Sequence, residues 1–119
     1  MATTTGSLSP DPDLHMLRHK WLDIPNGNQG NAIKLGNYQD RTVQVLGTFG
    51  AGGSVTMQGS NDGGTTWATL TDPLGNALTF TAAGMKAITE LPYEIRPSVT
   101  AGDGTTAIDV WLHMRGANR

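Results

Sequence analysis

The chain has 119 residues and a mass of 12.6 kDa, enough for one domain with a single buried core. It has no cysteine, which excludes disulfides, zinc knuckles, iron–sulfur clusters and thiol catalysis. Eight Lys and Arg against ten Asp and Glu give a net charge of −2. These charges are scattered, so no basic stripe is available for nucleic acid or an anionic membrane surface. The apolar runs are only a few residues long, too short to cross a bilayer as a helix.

Gly and Thr each occur 16 times, while Glu occurs only at Glu90 and Glu94. Helix formers are scarce, β-branched residues are plentiful, and turn residues recur at short intervals. This is the composition of an all-β domain, an antiparallel β-sandwich of jelly-roll or Ig-like type, with a small β-barrel as the alternative.

In chain order, residues 1–10 have neither a basic start nor an apolar run, so no secretory signal is expected there. Pro10-Asp11-Pro12-Asp13 suits neither a helix interior nor a central strand. Leu14 to His19 has room for one helical turn with Asp13 as its N-cap. Residues 1–19 therefore read as an extended N-terminal arm, and residues 20–119 as the sandwich domain.

Lys20 to Ile24 is the first predicted strand, ended by the turn cluster Pro25-Asn26-Gly27-Asn28. A short segment, Ala32 to Leu35, precedes a clearer strand, Arg41 to Phe49, in which Val43 and Val45 alternate with Thr42 and Gln44. Ser54 to Gln58 repeats the alternation, with Val55 and Met57 inward. Asn61-Asp62-Gly63-Gly64 closes a hairpin to Thr66–Leu70. Further strands are predicted at Ala77–Thr81, Lys86–Leu91 and on either side of Pro97, a residue expected at an edge or bulge. The last strand, Thr105 to Arg115, places Thr106, Ile108, Val110, Leu112 and Met114 in the core. Its other face carries Ala107, Asp109, Trp111, His113 and Arg115. A large aromatic on that polar face implies a second packed layer, a loop of the same chain over Trp111, or a partner.

The sharpest local pattern is Ser60-Asn61-Asp62-Gly63-Gly64-Thr65-Thr66-Trp67. It fits S-x-D-x-G-x-T-W and resembles the Asp-box of sialidases and other β-propeller proteins. The resemblance implies a structural turn. Ser60 belongs to this turn, Asp62 would hold it by hydrogen bonds from turn amides, Gly64 would take a conformation other residues resist, and Trp67 would pack beneath, in the core. A propeller needs the box repeated over several blades, and this chain holds one copy.

No residue set reads as catalytic, metal-binding or cofactor-binding. His15 and His19 have a spacing that zinc can use, but no third ligand follows, and Arg18 and Lys20 add repelling charge. Asp11, Asp13, Asp62, Asp72 and Asp103 lie in turn contexts. Asp109 and His113 are four residues apart on a strand, about 13 Å, too far for a dyad. Exposed Trp21 or Trp111 could stack on a sugar ring, which leaves glycan binding as an alternative.

The stretches QGSNDGGTTW and YEIRPSVTAGDGTT, with TVQV and WATLTDP, resemble small β-rich virion proteins of tailed phages, of the capsid decoration or cement type. The resemblance runs from about residue 40 to about residue 115. It implies a non-enzymatic protein on the capsid exterior that bridges neighbouring subunits of the major capsid protein and contacts copies of itself. A head–tail connector, tail or fibre-associated subunit is the alternative. The expected partner-binding residues are Leu14, Met16, Leu17, Arg18, Trp21, Trp111 and His113. Neither nucleic acid nor membrane is an expected partner.

Overall fold

A computed structural model describes residues 3–11, 16–34 and 38–116. The chain is all-β, as its composition implies. Its strands are β1 (Thr3–Thr4), β2 (Ser7–Asp11), β3 (Met16–Ile24), β4 (Gln29–Gly30), β5 (Tyr38–Thr48) and β6 (Ser54–Ser60). They continue with β7 (Ala68–Thr69), β8 (Thr79–Phe80), β9 (Gly84–Ala87), β10 (Glu94–Ala101) and β11 (Ala107–Gly116). One sheet has the order β1-β4-β10-β6-β7, with β8 also paired to β6. The other has the order β2-β3-β11-β5-β9. The pairings are antiparallel except for β1 with β4. The two sheets pack as a sandwich and do not close into a barrel.

The core lies between the sheets and follows the period-2 pattern of the long strands. On β11, Ile108, Val110, Leu112 and Met114 are fully buried. Val43 and Val45 of β5 join them from one neighbour, and Leu17, Trp21 and Ile24 of β3 from the other. Val55 and Met57 of β6 and Ile95 and Val99 of β10 close the core from the opposite sheet. Burial of each such side chain contributes roughly 1.5–3 kcal/mol, which makes these alternating faces the main determinant of the fold.

Several expectations are corrected. Met16 to His19 form no helical turn; they are the first residues of β3, and the expected start at Lys20 falls inside it. Leu14 and His15 lie outside the described residues. The extended N-terminal segment is woven into the sandwich, since β1 pairs with β4 in one sheet and β2 with β3 in the other. Pro97 sits within a continuous β10, in the sheet interior and away from the bulge between Val99 and Ala101. Its neighbours on the same side, Ile95 and Val99, donate their amides to Ile33 and Asn28. The missing proline donor falls between those two bonds, opposite the two-residue β4, so the loss is confined to one position of the ladder.

Candidate functional site

The Asp-box segment forms the turn its residues imply. Asp62 Oδ1 accepts the amides of Thr65 and Thr66, both at 3.0 Å, and the Ser60 hydroxyl at 2.7 Å. Ser60 Oγ in turn accepts the Gly64 amide at 3.0 Å. Gly64 has φ +90°, a conformation that a side chain would strain. The Thr66 amide, then the Ser60 hydroxyl, hold the Asp62 carboxyl down at about 2. Trp67 departs from expectation: it is half-buried and outside the core. Its indole N–H donates to Gly64 O at 3.0 Å, and the Arg96 guanidinium lies 4.0 Å from its ring centre. Arg96 also donates to Gln58 Oε1 at 2.9 Å. These contacts lie on the outer face of the sheet and tie the hairpin to β10 and β6.

Four further acids, Asp103, Asp72, Asp109 and Glu90, are engaged in a similar way. Asp103 accepts amides from Ala51 and Thr105, and its pKa falls to about 2, with the Ala51 bond the largest cause. Asp72 accepts amides from Leu74 and Asn76 and is lowered chiefly by Asn76. Asp109 Oδ1 accepts the Asp23 amide at 2.9 Å, next to the bulge where Asp23 has φ +57°. Glu90 binds the Thr71 amide and hydroxyl. An open cleft of about 600 Å³ lies between the box hairpin and Glu90–Pro92, but its two carboxylates, Asp62 and Glu90, are the ones already engaged by these turns.

The seven expected partner-binding residues divide. Leu17 and Trp21 are core residues, at 2% and 0% exposure, and present no surface to a partner or a sugar. They occupy the inward phase of β3. Met16, Arg18, Trp111 and His113 come together on the outer face of the five-stranded sheet. Arg18 pairs across with His113, and Met16 with Arg115. His113 Nε2 lies 3.2 Å from Met16 Sδ. Arg18 and Lys20 both stand over the Trp111 ring, 5.7 and 5.0 Å from its centre. Among the described residues, Trp111 is thus flanked by two cations of the adjacent strand, an arrangement a covering loop would not require. Leu14 lies outside the described residues.

Lys20 and Met85 were not expected at this face. The alternation of Met16, Arg18 and Lys20 with Leu17, His19 and Trp21 carries the signal for Lys20 once β3 is extended back to Met16. Met85, 61% exposed, joins only through the register of β9 with β5, where it stands opposite Gln44.

No protein-family model matches the chain, and neither does any curated protein sequence. Among solved structures, the SPBc2 prophage-derived protein YomS matches with a TM-score of 0.61 at 9% identity, over 83% of this chain and 93% of that one. Peruvianin-I, a cysteine peptidase from Thevetia peruviana latex, matches with a TM-score of 0.46 at 13% identity, over 88% of this chain and 53% of that one. A carbohydrate-binding module from Cellvibrio mixtus lichenase 5A, in complex with cellotriose, gives 0.36 at 13% identity, over 97% and 88%. At these identities the likeness to YomS is one of fold, and the other two scores carry no weight. The chain shares its fold, over 83% of its length, with a prophage-derived protein.

Proposed function

We propose that this chain is a structural subunit of a bacteriophage particle, one that decorates the capsid exterior and stabilises it by bridging neighbouring capsid protein subunits. The observation that carries the reading is the shared fold with a prophage-derived protein, which extends over 83% of this chain and 93% of that one. The resemblance of residues 40–115 to virion decoration proteins supports it independently. The fate of the carboxylates fits a non-enzymatic role, since Asp62, Asp72 and Asp103 are spent on fastening turns. A rigid sandwich with a mixed aromatic and cationic outer face is suited to adhesion between protein subunits.

The test is copurification with purified particles, with the copy number measured by quantitative mass spectrometry. A decoration protein is present on the order of hundreds of copies, following capsid symmetry, whereas a connector or tail subunit is present at about a dozen. Absence from particles overturns the reading, and a count near a dozen replaces decoration by the connector or tail alternative.

A further inference from the structure

We propose that the outer face around Trp111 binds an acidic, extended polypeptide segment of a partner protein, whose carboxylates seat on Arg18 and Lys20. This rests on the reading above, because it names the face and the partner chemistry through which such a subunit would attach.

The register defines the face. One row across the sheet runs Lys20, Trp111, Gln44 and Met85, and the next runs Arg18, His113, Thr42 and Ala87. Arg18 and Lys20 are two residues apart on one strand, hence about 7 Å apart along it, and like charges at that spacing repel. Here both lean over the same indole, whose negative face offsets part of that repulsion. Neither makes an ion pair among the described residues. The nearby pair on this face is Arg115 with Asp40, at 3.7 Å and well exposed. Asp109, two residues from Trp111, has an oxygen committed to the Asp23 amide. Among the described residues, two cations therefore stand over one indole with no ion-pair partner, on a partly apolar surface with exposed Met85 at the end of the row.

The spacing selects the ligand. Side chains at alternate positions of an extended segment recur every ~7 Å on one face, so carboxylates at alternate positions match Arg18 and Lys20 one to one. A guanidinium grips a carboxylate through two N–H bonds, and an ammonium binds it as a point charge. Apolar side chains of the segment would lie against Trp111 and Met85. A nucleic acid fits less well. It would bring a charge every few ångströms past Asp40 and Asp109, toward a chain of net charge −2.

The experiment follows the Trp111 indole N–H resonance by NMR, assigned through Trp111→Phe. The full chain is titrated with a synthetic peptide carrying Glu at alternate positions. Controls are the same peptide with Gln and a single-stranded oligonucleotide of equal charge. The Glu peptide should shift the resonance, with affinity that falls as salt rises. The Arg18→Gln/Lys20→Gln variant, checked for an unchanged fold by circular dichroism, should bind about tenfold more weakly or worse. Equal binding of the Gln peptide, equal binding by the variant, or tighter binding of the oligonucleotide overturns the proposal. Particle association separates it from the functional reading. A double variant that loads onto particles as well as the native chain removes this face and leaves the virion role. A native chain that binds the peptide but is absent from particles does the reverse.

Discussion

Trp21 and Asn31 are joined by a pair of hydrogen bonds, from the indole N–H to the Asn31 side-chain oxygen at 3.0 Å and to its main-chain oxygen at 3.2 Å. The same side-chain oxygen accepts the Gly6 amide at 2.8 Å, and the Asn31 amide donates to Thr4 O. One amide side chain thus satisfies a fully buried indole and fastens the N-terminal strands over the core. Asn31→Ala removes that acceptor and leaves a backbone donor with no replacement. It should cost about 1–3 kcal/mol, read as a lower urea midpoint at unchanged slope. Asn31→Asp keeps an acceptor and should cost less. An unchanged midpoint for the alanine variant would show that solvent replaces Asn31 freely.

His19 lies one residue pair away, its ring 4.5 Å from that of Trp21 and tilted by 59°. Both ring nitrogens are buried without a hydrogen-bond partner among the described residues. Burial lowers its pKa below the ordinary 6.5. The unfolded chain therefore takes up a proton at a pH where the folded chain does not. Stability from this residue is intact above about pH 6.5 and declines as the pH falls toward the folded pKa. Thermal midpoints between pH 7.5 and 5 should drop in the native chain. They should drop less in His19→Leu, which replaces two unpaired polar atoms by carbon. Parallel profiles for native chain and His19→Leu would assign the slope to other groups.

Legibility in the sequence tracked the range of the interactions. The alternating face of β11 and the Asp-box turn were readable because their determinants lie within a few residues, in Ile108 to Met114 and in Ser60 to Thr66. The seating of the N-terminal segment was not, since the Gly6 to Asn31 bond spans 25 residues and β1 has only two. Pro10 and Pro12 also masked a strand that lies at a sheet edge, where a missing amide is tolerated. Trp21 and Trp111 show how phase decides the fate of one residue type. The first shares the inward phase of Leu17 and His19, while the second sits opposite the inward Leu112. Trp67 escaped the core because β7 begins only at Ala68, which leaves its ring to Arg96. Arg18 and Trp111 were both legible as candidates, but their contact needed the register of β3 with β11.

Gly30 gives a direct test of packing under Trp21. A Cβ there would lie 2.5 Å from Trp21 Cδ1 and 2.8 Å from the Pro97 ring, and both neighbours are held in place. Gly30→Ala should destabilise by about 1–3 kcal/mol through overpacking. Gly104 has nothing within 4 Å of the same added carbon, and Gly104→Ala should stay within about 0.5 kcal/mol of the native chain. Denaturant titration of the two variants side by side reads the contrast. Equal midpoints would mean that β4 shifts aside at little cost.

The Asp62 turn should make the hairpin acid-sensitive in a defined window. Its carboxyl is held at about 2, below the ordinary 3.8, so the folded state favours the charged form. That contribution is complete above about pH 4 and is lost as the pH falls through the folded pKa. Amide exchange at Thr65 and Thr66 reports it locally, because both donate to Asp62 Oδ1. Protection of these amides should fall between pH 4 and 2 in the native chain. In Asp62→Ala it should be low throughout, with no step in that window. Asp103 shares the depressed pKa but serves Ala51 and Thr105, so Asp103→Ala should leave the Thr65 and Thr66 step in place. If the step persists in Asp62→Ala, the turn is held by Ser60 and the glycine geometry, and the carboxylate is incidental to it.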